Sequence, residues 1–326
     1  MNEENSPQEA ALIAEMRLAY SQGDMSKTET LARTALNQYK NADISYYLCA
    51  GIHGQRRYSE AKPLLRSMLE EYPTYFNTYV LLAMIEYYES GPTNAVLMLE
   101  RAMESGMDRG RVYLTIGQVH LEDDRPSEAL AAYANVPEKS SSYLDSLIQM
   151  SYCYRKLLRR GKASECLAMA AKLDPDNVDM QIEQAELLVD QRRFADARKA
   201  VNALIDRVGF NVRLEVCCCR LDLAQRMYDS AAAHMSNAIA VAPYQPYLYQ
   251  NRAAASIKAR KFKEAEEDIE RAEQLGGTSA FLLGMRCRLH LRQFHLMDAA
   301  KVLKKYIKAT FDEMDKANTL LKLQTK

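Results

Sequence analysis

Three consecutive cysteines, Cys217-Cys218-Cys219, are the residues most suggestive of chemistry in this 326-residue chain. A thiolate is both a metal ligand and a nucleophile, so a run of three invites a metal or a redox reaction. The surrounding sequence reads as helix, however. Consecutive helical residues point roughly 100° apart, so three adjacent sulfurs cannot converge on one ion. The five histidines, His53, His120, His234, His290 and His295, are spaced no better. None is four residues from another on a helix, and none adjoins a Cys or carboxylate cluster at ligand spacing. The chain has no glycine-rich nucleotide loop, no nucleophile elbow and no paired-carboxylate arrangement. These patterns predict no catalytic residue, no metal site and no cofactor.

The spacing of the same cysteines has another explanation. Cys219 is one rung of a ladder of small residues repeating every 34 positions: Cys49, Ala83, Gly117, Ser151, Ala185, Cys219, Ala253 and Cys287. Twelve residues behind it runs a ladder of alanines: Ala61, Ala95, Ala129, Ala163, Ala197, Ala231, Ala265 and Ala299. Four residues further on, every rung is large and mostly apolar: Leu65, Leu99, Tyr133, Leu167, Val201, Met235, Ile269 and Leu303. A fixed period of this length is the signature of a repeat array, in which each unit buries its apolar face only against its neighbours.

Each repeat reads as two helices. In 76–109, Tyr79, Leu82, Ala83 and Glu86 lie at three- and four-residue spacing. Ser90-Gly91-Pro92 then stops one helix and starts the next. Ala95, Leu99 and Ala102 share one face of the second helix, which Gly106 ends. No stretch alternates like a strand, so the expected class is all-α. Residues 1–8 read as a disordered lead. A worn first repeat follows from about 9, with Thr28 on its alanine rung. Regular repeats start near 42, 76, 110, 144, 178, 212, 246 and 280, and 314–326 reads as a capping helix. The small rungs are where two helices cross closely, since a larger residue there would overpack.

Bulk composition is that of an ordinary soluble protein. Charged residues are 26% and Lys plus Arg balances Asp plus Glu at 43 each, which argues against bulk binding to nucleic acid or an anionic membrane. No apolar run is long enough to span a bilayer. The polar, acidic start and seven cysteines without paired spacing point to reduced thiols and a cytoplasmic location.

The array resembles the tetratricopeptide repeat family. The resemblance covers about 9–313. The family's aromatic position is met by Tyr79, Tyr113 and Tyr249, its small position by the small rungs, and its closing proline by Pro73, Pro175 and Pro243. It implies a right-handed α-α superhelix of about nine helix pairs plus the cap, with the first helices lining a concave face. The position before the small rung is Leu48, Leu82, Ile116 and Met150 early but Gln184, Cys218, Arg252 and Arg286 later, which predicts looser packing from 178 to 313.

Carrying the family's ligand-touching positions onto this chain gives a graded surface. Tyr46, Tyr87 and Tyr88 make an aromatic end, and Tyr152 and Arg155 lie in the middle of the surface. Arg213, Arg220, Lys258, Arg288 and Arg292 make a basic end. Asn251 matches the asparagine of the carboxylate clamp found in some co-chaperones, although the other clamp positions hold Leu214, Glu215, Phe281 and Met285 instead. The resemblance therefore implies a non-enzymatic scaffold or adaptor. It would hold an extended protein or peptide segment, with the basic end suited to an acidic one, or serve as a subunit of an assembly. The alternative is a chaperone or assembly factor. No nucleic-acid binding and no membrane insertion are expected.

Overall fold

The computed structural model describes residues 6–308 and Thr310. All described secondary structure is helical. The first five pairs are α1 (Pro7–Gln22) and α2 (Met25–Leu36), α3 (Ala42–Gly54) and α4 (Tyr58–Glu71), α5 (Phe76–Ser90) and α6 (Pro92–Glu104), α7 (Arg109–Glu122) and α8 (Pro126–Ala134), α9 (Tyr143–Lys156) and α10 (Arg160–Leu173). The next are α11 (Val178–Asp190) and α12 (Phe194–Val208), α13 (Val212–Ala224) and α14 (Tyr228–Val241), α15 (Pro246–Lys258) and α16 (Phe262–Gly276). The last pair is α17 (Ala280–Arg292) with a helical run over 296–308, here α18. Helix α1 opens at Pro7 with Ser6 as its cap, so the last two residues of the expected lead are helical. The expected cap at 314–326 lies outside the described residues.

The chain divides into two compact units, 1–183 and 184–326, called here the N-terminal and C-terminal halves. In the first, α1, α3, α5 and α7 each pack on the next first helix as well as on their second helices. In the other, α13 and α15 do the same. Caps follow the sequence locally. Asp24, Asn41, Asp108, Asn211 and Ser279 each accept a hydrogen bond from a first-turn N–H. Pro92, Pro126 and Pro246 stand in the first turns of α6, α8 and α15, where no N–H is missed.

The turn inside each repeat is built alike seven times. Arg56, Asp124, Leu158, Arg192, Arg226, Arg260 and Phe294 all have left-handed backbone, with φ between 53° and 64°. The following N–H reaches back five residues to close the helix, as from Arg193 to the Leu188 carbonyl at 2.9 Å. Glycine is the usual occupant of such a position, and an L side chain costs about 1–2 kcal/mol there.

The ladders explain the core. All eight alanine rungs and all eight small rungs are buried. Large rungs are buried from Leu65 to Ile269, and the next first helix supplies cover: Leu65 lies in one cluster with Leu81, Leu82 and Ile85 of α5, and Ile269 with Leu282, Met285 and Leu289 of α17. Leu303 is the exception at 45% exposed. No further described repeat follows it. Large and small rungs also compensate in volume. The one glycine, Gly117, faces the largest partner, Tyr133. A Cβ built on Gly117 would sit 2.2 Å from the Tyr133 ring. The Tyr133 hydroxyl is buried without a hydrogen-bond partner.

The later repeats are not loosely packed where apolar residues give way to polar ones. Cys218 is fully buried. Arg252 makes a two-pronged pair with Asp268 of α16, with nitrogen–oxygen distances of 2.7–3.2 Å. Arg286 of α17 reaches Glu273 of α16 at 2.8 Å. Ion pairs between consecutive helices take the place of the early leucines.

Candidate binding surfaces

In the N-terminal half, first helices α1, α3 and α5 bring tyrosines together. Tyr46 meets Tyr20 at 6.3 Å between ring centroids, Tyr47 at 5.3 Å and Tyr75 at 5.9 Å. The Tyr75 hydroxyl donates to Asp43 Oδ1 at 2.5 Å. Burial, helped by the neighbouring phenols, holds Tyr46 above the ordinary phenol range, and burial with the Asp43 hydrogen bond does the same for Tyr75. Both are therefore neutral donors at any physiological pH.

A second aromatic group forms where α3 and α5 end. Tyr58 and Tyr88 stack in parallel, 5.6 Å apart and 3° from coplanar, and Tyr87 meets Tyr88 edge-on at 5.3 Å. His53 lies against both stacked rings at 5.5 and 6.2 Å. Its Nε2 is buried and unpartnered, and burial pushes its pKa down to about 4, so the imidazole is neutral at pH 7. Burial, then Asp123 and Glu122, push the Tyr87 phenol up to about 12. Tyr88 is half exposed, so this group presents a wet aromatic face.

Tyr152 lies at the margin of exposure, with the Lys156 ammonium 5.7 Å from its ring centroid. Lys156 itself pairs with Asp124 at 2.5 Å. Arg155 is the one predicted residue turned inward. It is buried and paired with the buried Glu183 at 2.7 Å, which keeps its guanidinium from direct contact with a ligand.

In the C-terminal half the predicted cations divide. Arg220 is committed to Glu186, and to Asp190 at 3.2 Å. Arg213 is exposed, and its charge draws down the Tyr247 phenol, which burial pushes up more strongly. Asn251 is half-buried on α15. Lys258, Arg288 and Arg292 are exposed, Arg288 Nε donating to the Gly284 carbonyl at 3.3 Å. The structure thus leaves Arg213, Lys258, Arg288 and Arg292 exposed to solvent, and keeps Arg220 and Arg155 in ion pairs.

Sequence reasoning missed one polar group in this half. Asp222 is fully buried and takes a salt bridge from Arg198, while His234 lies 2.8 Å from Glu215 and 3.6 Å from Asp222. The available signal was an acid at a core register, 34 residues after Leu188, which is half-buried, and 34 before Ser256, which is buried. The seven cysteines are all buried and unbridged. Burial pushes Cys49, Cys153, Cys218 and Cys219 up to about 12, so these thiols are poor nucleophiles. Among the described residues no group of three His, Cys, Asp or Glu could hold a metal ion. No described helix is long and apolar enough to cross a membrane.

No family model matches the sequence, and no curated protein does. Solved structures do match. A human IFIT1 dimer with PPP-AAAA is similar over 87% of this chain and 72% of its own, at 15% identity and a TM-score of 0.57. A tetratricopeptide repeat protein from Parabacteroides merdae is similar over 77% of this chain and 99% of its own, at 18% identity and a TM-score of 0.51. The Cut9–Hcn1 hetero-tetramer of the APC/C matches over 89% of this chain and 57% of its own, at 11% identity and a TM-score of 0.50. The chain has the fold of tetratricopeptide repeat proteins.

Proposed function

We propose that this chain is a non-enzymatic scaffold that holds an extended, acidic segment of a partner protein along its first helices. One observation carries the reading. In the C-terminal half the first-helix and adjacent acids are consumed internally: Glu186 and Asp190 by Arg220, Asp222 by Arg198, Asp268 by Arg252, Glu273 by Arg286. The exposed first-helix charges left over include Lys258, Arg288 and Arg292. Cations kept in water beside saturated acids give a positive surface with little competition from the protein's own carboxylates. The seven unbridged thiols suit a reducing compartment such as the cytoplasm.

The test is a Lys258→Glu/Arg288→Glu variant, with native helicity and melting confirmed, compared with the parent chain in pull-downs and direct binding to whatever partner is recovered. Loss of that partner in the variant supports the reading. Undiminished binding ends it. A second reading, a chaperone or assembly factor for a client, is favoured by the half-exposed Tyr88 and its stacked neighbours, since aromatic faces with a wet polar tip bind varied sequences. It predicts transient binding that Tyr87→Ser/Tyr88→Ser weakens and charge reversal on α15 and α17 leaves intact.

A further inference from the structure

The turn edge of the C-terminal half carries a cleft that shares Arg292 alone with the first-helix surface described above. It has a volume of about 640 Å³ and is lined by Arg260, Phe262, Leu291, Arg292, Gln293, Phe294 and His295. Its walls come from two successive intra-repeat turns, the one after α15 and the one after α17. Three of the lining side chains are apolar, and Phe294 is 85% exposed, the most solvent-facing large apolar residue in the described chain. A ring held in water at a left-handed backbone position gains nothing for the fold: glycine would relieve the strain, and a polar residue would remove the exposed surface. Arg260 shares this left-handed backbone, with φ 64°.

The charges around the cleft are sorted. Lys261 pairs with Asp229 at 2.7 Å, and Lys301 with Asp298 at 3.0 Å. Asp229 and Asp298 are thereby paired, while Arg260 and Arg292 have no ion-pair partner among the described residues. Arg226 stands at the equivalent place one repeat earlier, with φ 63°, and extends the positive edge beyond the cleft. Two open guanidinium forks flank an apolar slot. Guanidinium groups bind carboxylates two-pronged, and an apolar slot of this size takes one or two side chains.

We propose that this cleft docks an acidic segment of a partner protein that carries a large apolar side chain between its carboxylates. Arg260 and Arg292 take the carboxylates, and Phe262, Leu291 and Phe294 enclose the apolar group. The proposal rests on the scaffold reading but places a contact outside the Lys258 and Arg288 surface, so the two can fail separately.

The experiment uses the full chain and a fluorescein-labelled peptide, Gly-Asp-Glu-Phe-Asp-Leu-Glu-Asp, read by fluorescence anisotropy. Two comparison peptides replace Phe and Leu by Ser, or every acid by its amide. Binding of the first peptide is expected, with each comparison peptide about tenfold weaker or more. Arg260→Glu/Arg292→Glu should lose about tenfold or more, and Phe294→Asn, which tolerates the left-handed backbone, severalfold. Arg260→Gly/Arg292→Ser serves if the double charge reversal fails to fold, because glycine relieves the backbone at 260. The Lys258→Glu/Arg288→Glu variant should bind this peptide as the parent does. Failure of the parent to bind the acidic apolar peptide would overturn the proposal. So would equal affinity for the serine peptide, retention by the cleft variants, or equal displacement by a thymidine oligonucleotide of the same charge, which would mark a plain polyanion surface.

Discussion

At the position before the small rung, the N-terminal half carries Leu48, Leu82, Ile116 and Met150, and the C-terminal half carries Gln184, Cys218, Arg252 and Arg286. The backbone is the same: both halves stack first helix on first helix, and both bury their alanine and small rungs. The first half fills that position with volume. The other fills it, in its last repeats, with guanidinium groups that reach carboxylates on α16. A helix pair therefore needs small residues at the crossing, where nothing else fits, but only a satisfied group beside it. The surfaces differ accordingly, with stacked tyrosines in one half and open cations beside saturated acids in the other.

The sharpest way to break this comparison is at the large rungs. Leu65→Ala should cost about 2–5 kcal/mol in urea unfolding, as a fully buried leucine does. Leu303→Ala should cost below about 0.5 kcal/mol, because that rung is already in water. Equal costs would mean that Leu303 is covered in solution.

Gly117→Ala should destabilise by about 1–3 kcal/mol, since its new methyl meets the Tyr133 ring. Adding Tyr133→Leu should restore part of the loss. Additive losses in a double-mutant cycle would deny that the two rungs share one space.

Polar packing in the C-terminal half is tested at Arg252. Removing it alone, as Arg252→Ala, strands the buried Asp268 and should cost about 2 kcal/mol, whereas Arg252→Leu/Asp268→Leu should be close to neutral. A double variant as unstable as the single one would show that the pair itself, rather than the stranded charge, holds the helices together.

The first half has its own pH signature. Burial lowers the His53 pKa in the folded state to about 4, below its unfolded value of about 6.5. Folded chains then bind fewer protons than unfolded ones between those values. The contribution is fully present above pH 6.5 and is lost as pH falls towards 4, by about 3 kcal/mol. His53→Leu should flatten that limb in urea titrations at pH 7 and 4.5. An unchanged slope would place His53 in water.

Much of the fold was legible because burial leaves a period. Close crossings admit only small residues, so Ala163 or Ala197 announces its place without any neighbour being known. Residue chemistry at the surface leaves no such trace. The ladder positions could put Arg155 and Arg220 on first helices, but not that Glu183 would bury one and Glu186 would hold the other. Arg260 and Phe294 were passed over because turn residues carry no apolar period. Their shared left-handed backbone is visible only in three dimensions. Asp222 escaped for the opposite reason: the period marks its position as interior, but not which cations arrive to neutralise it.

The match of Gly117 to Tyr133 also bears on how such arrays can change over time. A whole repeat carries both members of its rung pair and can be duplicated or moved with that pair intact. A single helix cannot. Grafting α8 into a repeat whose first helix offers alanine or cysteine would press its tyrosine ring against a side chain, and grafting α7 opposite a valine would leave a hole. Recombination within this gene is therefore constrained to breakpoints between helix pairs, and α7 and α8 are expected to be inherited as one piece.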